Sequence, residues 1–516
     1  MSTTEQPPIG KINLAEYRNK VYGCWAGKNI GGTLGAPFEG KQEINDIDFY
    51  TQPTGGEPCP NDDLDLQLIW LAVAEKYGIY NITPRLLGEF WVANIIGPWN
   101  EYATCCANIR NGFYPPLSGA INNDVWKYSN GAWIRSEIWA CCFPGSPDEA
   151  IHLAYIDACA DHDGEGVFAE LFTAAVESAA FVESDIRELL EIGLAKIPAD
   201  SRVARAVRLV MKMFDEKKDW KEARDALVED SKDIGWFQAP ANIGFVAIGL
   251  LYGNGDFGRS ICLAANCGDD TDCTAATVGS ILGIIAGYDN IPEKWLKPIG
   301  DKIKTIAINP FGLHSLPSNI RDLTSRIIKV AEMTAMENPS LPQISDARTC
   351  IDTSKYKDST EAERIWKYSP YELTFDLPYA ELTVMYEKAP IIKEGEEFAL
   401  KLRITMLKSS MTEVDFRWHL PEGWTSRTAS VKMHVFNYSH PCISMSFVPG
   451  AIKKSVEYVL LEVKLVDRNN SLFVNIPFQA ENSTDYKRHK GFEPYERIAR
   501  RLSARVRSAL GNAANQ

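Results

Sequence analysis

The sequence predicts a multidomain protein: an all-α domain, then an antiparallel β-sandwich, then a terminal helix. Three observations carry that expectation. The chain has 516 residues, whereas a single hydrophobic core stops growing at roughly 250–300 residues. From 14 to 336, Ala, Leu, Ile and Glu recur at helical spacing, with Gly, Pro and Asn at the breaks. After 369 the period changes to two.

Helical windows fall at 65–76, 146–159, 166–181, 184–195, 201–216, 220–230 and 242–251, and strand-like alternation is scarce among them. The stretch 337–368 is polar and irregular and reads as a linker. In 369–481, Phe398, Leu400, Leu402, Ile404 and Met406 alternate with Ala399, Lys401, Arg403 and Thr405. Val459, Leu461, Val463 and Leu465 repeat the pattern, as do Leu472, Val474, Ile476 and Phe478. Turn signals such as Pro421-Glu422-Gly423 separate these runs, which fits strands with one face buried in a sandwich. This domain has no cluster of catalytic residue types, so an accessory or oligomerisation role is expected and a homo-oligomer is left open. The tail, 482–516, contains a basic amphipathic helix over 494–510. Ile498, Leu502 and Val506 share one face, with Arg497, Arg500, Arg501, Arg505 and Arg507 around it. A helix capping the acidic body is the expected role, and a membrane or partner helix is the alternative.

Composition narrows the partners. A formal charge of −14 argues against nucleic acid and anionic membrane, and no apolar run is long enough to span a bilayer. The first residues, Met1-Ser2-Thr3-Thr4-Glu5-Gln6-Pro7-Pro8, have neither a basic nor an apolar region, so no signal peptide is expected. Most of the twelve cysteines sit in apolar helical contexts without zinc-like spacing. Reduced core cysteines in a cytoplasmic protein are the reading.

Two acidic clusters stand at the starts of apolar helical stretches: Asn61-Asp62-Asp63-Leu64-Asp65, and Gly268-Asp269-Asp270-Thr271-Asp272-Cys273. A helix N-terminus favours a carboxylate by only about 0.3–1 kcal/mol. One N-cap explains one acid. Several acids beside an apolar helix repel one another and resist burial unless a cation joins them. On a helix, Asp62 and Asp63 point about 100° apart and can serve two different ions, while Asp65 lies one turn on from Asp62. Asp270 and Asp272 bracket Thr271 and point to one side of an extended loop. Oxygen ligands of this kind suit Mg²⁺, Mn²⁺ or Ca²⁺ rather than zinc.

Three further segments complete the set. Gly27-Lys28-Asn29-Ile30-Gly31-Gly32-Thr33-Leu34-Gly35 lacks the order of a phosphate loop and reads as close helix packing through small residues. Glu39 then stands alone after the turn as a candidate general base or gate. Tyr128-Ser129-Asn130-Gly131-Ala132-Trp133-Ile134-Arg135 and Asp161-His162-Asp163 are the others; a histidine flanked by acids can orient a sugar hydroxyl.

Taken in this order, the five blocks resemble the ADP-ribosylglycohydrolase family over roughly residues 15–310. Gly31 to Glu39 is similar to its Gly-Asp-Ala-Leu-Gly-Ala-Pro-x-Glu segment, and Asn61 to Leu64 to its Thr-Asp-Asp-Thr motif. Tyr128 to Arg135 is similar to its Tyr-Gly-Asn-Gly-x-x-Met-Arg segment, Asp161-His162 to its Thr-His pair, and Gly268 to Ala275 to its Gly-x-Asp-Thr-Asp-Thr-x-Ala motif. The resemblance implies an orthogonal helix bundle with two Mg²⁺ or Mn²⁺ ions at the base of a cleft. It implies hydrolysis at the ribosyl C1 of ADP-ribosylated protein or of a related small molecule. Carried over residue by residue, it gives Asn61, Asp62, Asp63, Asp270, Asp272 and Cys273 as ligands, and Glu39, Asp62 and Asp63 as the catalytic acids. Tyr128, Asn130, Gly131 and Gly268 would line the substrate cleft, with His162 near it.

The chain departs from the family pattern at Asn61, Leu64 and Cys273, each in place of Thr, and at Gly32 in place of Asp; Asp65 is additional. The insert 91–123 is rich in Trp, Tyr, Asn and Pro, residues that sugar-binding clefts use. A glycosidase or nucleosidase acting on another sugar is therefore one alternative, and a non-catalytic ADP-ribose- or sugar-binding protein is another.

Overall fold

The structure is a computed structural model that describes residues 10–97, 99–407, 412–436, 439–481 and 483. A helical body is followed by two packed β-sheets, and the helix expected over 494–510 lies outside the described residues. No helix among the described residues is long and apolar enough to cross a membrane.

Helix α1 (Leu14–Gly35) starts where the Asn13 side chain accepts from the backbone N–H of Ala15 and Glu16. It runs antiparallel against the helix Thr271–Ala286, which is almost wholly buried, as is α1 from Gly23 to Gly35 apart from Asn29. Their contact is made of small residues at four-residue spacing. Gly23 faces Gly283, Gly27 faces Gly279, Gly31 faces Ala275 and Gly35 faces Thr271, and a Cβ at any of these four glycines would run into the partner backbone. The four-residue repeat keeps all four on one helical face. Each glycine costs α1 about 1 kcal/mol of helix propensity relative to alanine, so backbone-to-backbone packing must offset that loss.

Helix α2 (Asp62–Tyr77) is capped by Asn61, whose side-chain oxygen accepts from Asp63 N–H at 2.7 Å. Leu64, Leu66, Leu68, Ile69, Trp70 and Leu71 are buried, so the helix is apolar nearly all round, as a helix inside a large core is. The absent side chain at Gly32 leaves room for Asn61: a Cβ there would lie 2.7 Å from Asn61 Nδ2.

Strand β1 (Lys11–Asn13) pairs in parallel with β2 (Gln343–Ser345). The rest of the strands are β3 (Glu372–Asp376), β4 (Ala380–Tyr386), β5 (Ile391–Ile392), β6 (Phe398–Met406), β7 (Thr412–His419), β8 (Ser430–Val435), β9 (Cys442–Phe447), β10 (Val456–Leu465) and β11 (Ser471–Ala480). One sheet has the order β3-β4-β6-β9 and the other β5-β11-β10-β7-β8. Pairing is antiparallel except for β5, which adds in parallel to β11. The alternating residues read from the sequence face inward: Leu400, Leu402, Ile404, Val459, Leu461, Val463, Val474 and Ile476 share one core.

That core also takes in Phe113, Leu117 and Ile121 from the helical body. Tyr458 Oη donates to Asn111 O at 3.1 Å, and the Asn122 and Gln479 amides exchange two hydrogen bonds. Residues 337–368, read as a linker, are tied to the helical body as well, through β1–β2 and the Tyr356 hydroxyl on Gly145 O at 2.6 Å.

Gly27→Ala and Gly279→Ala each test the helix contact. Propensity alone would favour alanine by about 1 kcal/mol, whereas overpacking costs about 1–3 kcal/mol. A net loss of stability in urea denaturation is the expected result, and a gain would show that the two backbones do not need the glycines.

Candidate metal centre

The Gly268–Asp269 turn brings the two ends of the site together. It leaves the helix Phe257–Asn266 and enters Thr271–Ala286 through two successive left-handed residues, at φ +80° and +69°. A side chain on Gly268 would meet the carbonyls of Lys41 and Glu43. Asp269 N–H donates to Lys41 O at 2.7 Å, and Gly40 N–H donates to Asp269 O at 2.9 Å. Glu39 is thereby clipped beside Asp270, at the N-cap of the second helix, and Asp272, which lies in its first turn rather than in an extended loop. The Asp269 carboxylate accepts from Phe237 N–H and from Asn242 Nδ2, both at 2.9 Å, so it builds the turn rather than the cluster.

A cavity of about 220 Å³ opens over this junction. Glu39, Asp62, Asp270, Asp272 and Cys273 line it on the acidic side. Trp99, Glu101, Tyr102, Trp126, Ser129, Asn130, Gly131 and Phe237 contribute the remaining walls. Asp63 lies beneath, with its Oδ1 3.4 Å from Cys273 Sγ. Asp63, Asp272 and Cys273 each place a ligand atom within 4.8 Å of the others, and so do Glu39, Asp270 and Asp272. Asp272 belongs to both groups. Asp63 Oδ2 and Asp272 Oδ1 are buried without a hydrogen-bond partner. Buried oxygens normally have one, and two orphaned carboxylate oxygens in one acid cluster fit a divalent cation.

Electrostatics point the same way. Asp272, then burial, then Asp62 and Asp63 push Glu39 up to about 9. Burial, followed by Asp272, pushes Asp62 up to about 7. Asp63, Asp270 and Asp272 are all raised, in each case mainly by burial. Burial, and then Asp270, raises the Cys273 thiol as well; in this protonated form it donates toward Asp63. One cation does approach from below. Lys28 Nζ lies 2.7 Å from Glu137 Oε1, 2.5 Å from Ile134 O and 3.8 Å from Asp63 Oδ2. Burial works against its charge, but Glu137 and Asp63 outweigh that and keep it protonated.

The structure brings Glu39, Asp62, Asp63, Asp270, Asp272, Cys273, Asn130 and Gly131 together. Asn130 Nδ2 donates to Asp270 Oδ2 at 2.7 Å and is oriented by Trp133 Nε1, which donates to Asn130 Oδ1 at 3.1 Å. Asn61 borders the cluster, but its oxygen serves the helix cap and its nitrogen faces Asp272 Oδ2 at 3.3 Å. Gly268, Tyr128 and His162 do not line the cavity. Gly268 serves the turn, the Tyr128 ring packs on Gly164, and His162 stands behind Ser129. Asp65 leaves the cluster altogether and accepts the N–H groups of Ile306 and Ala307 at 2.6 and 2.5 Å.

Sequence reading missed Lys28, Glu101, Trp126, Ser129 and Phe237. Lys28 carried a signal, being a lone cation among small and apolar residues of a buried helix. Glu101 and Tyr102 lie in the insert already marked by its aromatic content. Phe237 carried none.

Fold and site together define a helical protein built around an acid-lined cleft that can hold divalent cations. The chain belongs to the ADP-ribosylglycohydrolase family, whose profile matches residues 13–331. A stretch of 50 residues is 48% identical to "ADP-ribosylarginine hydrolase Tri1" of Serratia proteamaculans (strain 568), spanning 10% of this chain and 14% of that protein. A solved chain of an "ADP-ribosylglycohydrolase-related protein complex" aligns at 18% identity and a TM-score of 0.43, over 62% of this chain and 100% of its own.

The raised carboxyls give a pH signature. Glu39 at about 9, Asp62 at about 7 and Asp65 at about 8 all lie above their ordinary values of 4.5, 3.8 and 3.8. The folded state therefore holds these protons more tightly than the unfolded one, and the stability they contribute is lost as pH rises toward 9. Metal-free protein is expected to melt at progressively lower temperature between pH about 6 and about 9, and Mg²⁺ or Mn²⁺ to remove much of that slope. Thermal scans with and without chelator check it; a slope indifferent to metal would contradict the centre.

Proposed function

We propose that this protein is a divalent-metal-dependent glycohydrolase that cleaves the linkage at C1 of a ribosyl group, with ADP-ribosylated protein or an ADP-ribose-containing small molecule as substrate. The observation that carries the reading is the pair of ligand groups sharing Asp272, one of them completed by Cys273, with orphaned oxygens on Asp63 and Asp272. Asp62, Asp63, Asp270 and Asp272 would hold two Mg²⁺ or Mn²⁺ ions, whose oxygen preference matches this donor set. Cys273 would stay a thiol at the edge of the centre, and Asn61 would brace Asp272. When bound, such ions offset the acidic field and polarise and orient the oxygens they touch.

The chain's own groups supply the rest. Asn130 orients Asp270, and Gly131 leaves the floor of the cleft free of side chain. Glu39 stands at the mouth as the proton acceptor for water attacking C1, with the C1–acceptor bond breaking as the new C1–oxygen bond forms. Positive charge beside Asp272 would return Glu39 to the carboxylate form that this role needs. A carboxylate in such a role contributes about 10²–10⁴-fold. All twelve cysteines are free thiols, in keeping with a cytoplasmic setting.

A second reading, cleavage of another glycoside or a nucleoside, draws on a specific observation. Among the described residues no lysine or arginine lines the cleft, while Trp99, Trp126 and Phe237 do, so uncharged sugar or base would also be accommodated.

Calorimetric titration of ADP-ribose into metal-loaded protein, with ribose and a hexose as controls, separates the two. Micromolar binding that chelator abolishes, followed by turnover of ADP-ribosyl-arginine, is the expected outcome. Failure of ADP-ribose to bind metal-loaded protein would shift the reading to the second class. Asp272→Asn is expected to lower metal affinity and turnover together while raising metal-free stability, because repulsion in the cluster falls.

A further inference from the structure

The two ligand groups that share Asp272 are unlike in chemistry. Glu39, Asp270 and Asp272 make one of them, all oxygen, with Glu39 exposed at the mouth of the cleft. Asp63, Asp272 and Cys273 make the other, and all three are buried. Cys273 follows Asp272 in the first turn of Thr271–Ala286 and lines the cavity, so an ion entering the cleft can reach its sulfur. Cys273 Sγ stands 3.4 Å from Asp63 Oδ1, while Asp63 Oδ2 and Asp272 Oδ1 are buried without a hydrogen-bond partner. All twelve cysteines are free thiols, and among the described residues Cys273 is the one that belongs to such a group.

Charge separates the two groups further. Three carboxylates supply the outer group. The inner one has two, of which Asp272 is shared and Asp63 has Lys28 Nζ 3.8 Å from its Oδ2. A hard ion such as Mg²⁺ is held through the charge of its oxygen ligands and gains little from sulfur, so the inner position, beside an ammonium group, suits it less. With a hard ion alone Cys273 stays a thiol. A thiophilic ion is different, because soft thiolate ligands select for it. A zinc–sulfur bond of about 2.3 Å and a zinc–oxygen bond of about 2.0–2.2 Å, meeting at a tetrahedral angle, put sulfur and oxygen about 3.5 Å apart. The 3.4 Å between Cys273 Sγ and Asp63 Oδ1 matches that edge. The preference for hard ions read from the acid clusters therefore applies to the outer group.

We propose that Asp63, Asp272 and Cys273 form a separate subsite for a thiophilic divalent ion of the zinc, cobalt or iron(II) class, next to a hard-ion subsite at Glu39, Asp270 and Asp272. This rests on the two-ion reading above and changes it at one position: the two ions differ in kind. The Cys273 proton leaves for solvent as the sulfur lone pair binds the ion, and no oxidation state changes. Asp272 is the carboxylate common to both subsites, so the inner ion fixes it for the ion at the mouth. The inner ion, enclosed by buried ligands, exchanges slowly, and the outer one, beside exposed Glu39, exchanges freely.

Cobalt(II) absorption tests the subsite in the full chain without any substrate. Chelator-stripped protein is titrated with Co²⁺ in a large excess of Mg²⁺. The expected result is a thiolate-to-cobalt charge-transfer band in the near ultraviolet that saturates at about one ion per chain, survives the Mg²⁺ and disappears when Zn²⁺ is added. In Cys273→Ser and Cys273→Thr the band should be absent. Zn²⁺ affinity should then fall by more than the roughly 10–100-fold that even a partner of a metal ligand contributes. Cys273→Thr restores an oxygen at the inner position, so equilibrium dialysis against Mg²⁺ should count about one ion per chain in wild type and about two in that variant. Co²⁺ that binds without the band, or a band unchanged in both variants, overturns the subsite and leaves two ions of one kind. Should neither variant fold, competition in the wild-type protein decides alone, and loss of the band under Mg²⁺ overturns the subsite as well. A wild-type protein that binds neither Mg²⁺ nor Co²⁺ would instead refute the two-ion reading itself.

Discussion

Everything at the site depends on two backbones lying against each other. The antiparallel contact of Leu14–Gly35 with Thr271–Ala286 sets the end of one helix beside the start of the other. Gly35 meets Thr271, whose hydroxyl donates to Gly35 O at 2.9 Å. Four residues further along, Glu39 reaches the acids at the start of the second helix. Larger side chains along this seam would separate the axes, and the Glu39–Asp270–Asp272 group would come apart. The small residues shape the site at one remove, since they set the distance between its acids rather than line the cavity.

The second constraint is charge. Asp62, Asp63, Asp270 and Asp272 are packed where carboxylates resist ionisation, and among the described residues Lys28 is the one cation that an ion pair brings to them, at Asp63. Two helix N-termini converge on the same point, but dipoles of this kind contribute about 0.3–1 kcal/mol each, against an ion-desolvation penalty of several kcal/mol per charge. Such an arrangement is stable as a half-protonated cluster or with bound cations. Site chemistry and fold stability are thus linked through the same residues.

The β-sheets are more than an appendage. Phe113, Leu117 and Ile121 leave the helical body and finish the core of the sandwich, while Tyr458 and Gln479 hold the loops on either side of them. The helix bearing Glu101 and Tyr102 lies just before these anchors, so the sandwich braces the cleft wall that carries no metal ligand. Residues 337–368 are tied to the helical body by β1–β2 and by Tyr356 on Gly145 O. The sheets thus pack beside the stretch that follows the Glu101–Tyr102 wall of the cavity.

The sequence by itself determined the fold class and the acid clusters, because both are local properties. Helical and two-residue periods follow from which face of an element is buried, and Asp62, Asp63, Asp270 and Asp272 sit at helix starts that their own neighbours specify. A cap at Asn61 or Asp62 and the small-residue packing of Gly27 to Gly35 were legible for the same reason. Tertiary structure decided which acids meet. Asp65, one turn from Asp62, turns away to bind the 306–307 backbone, and Asp269, next to Asp270, is consumed by its own turn. Lys28, Glu101, Ser129 and His162 acquired their places only from contacts between residues far apart in the chain. Local pattern fixes the direction of a side chain on its own helix; what stands opposite it depends on how the helices pack.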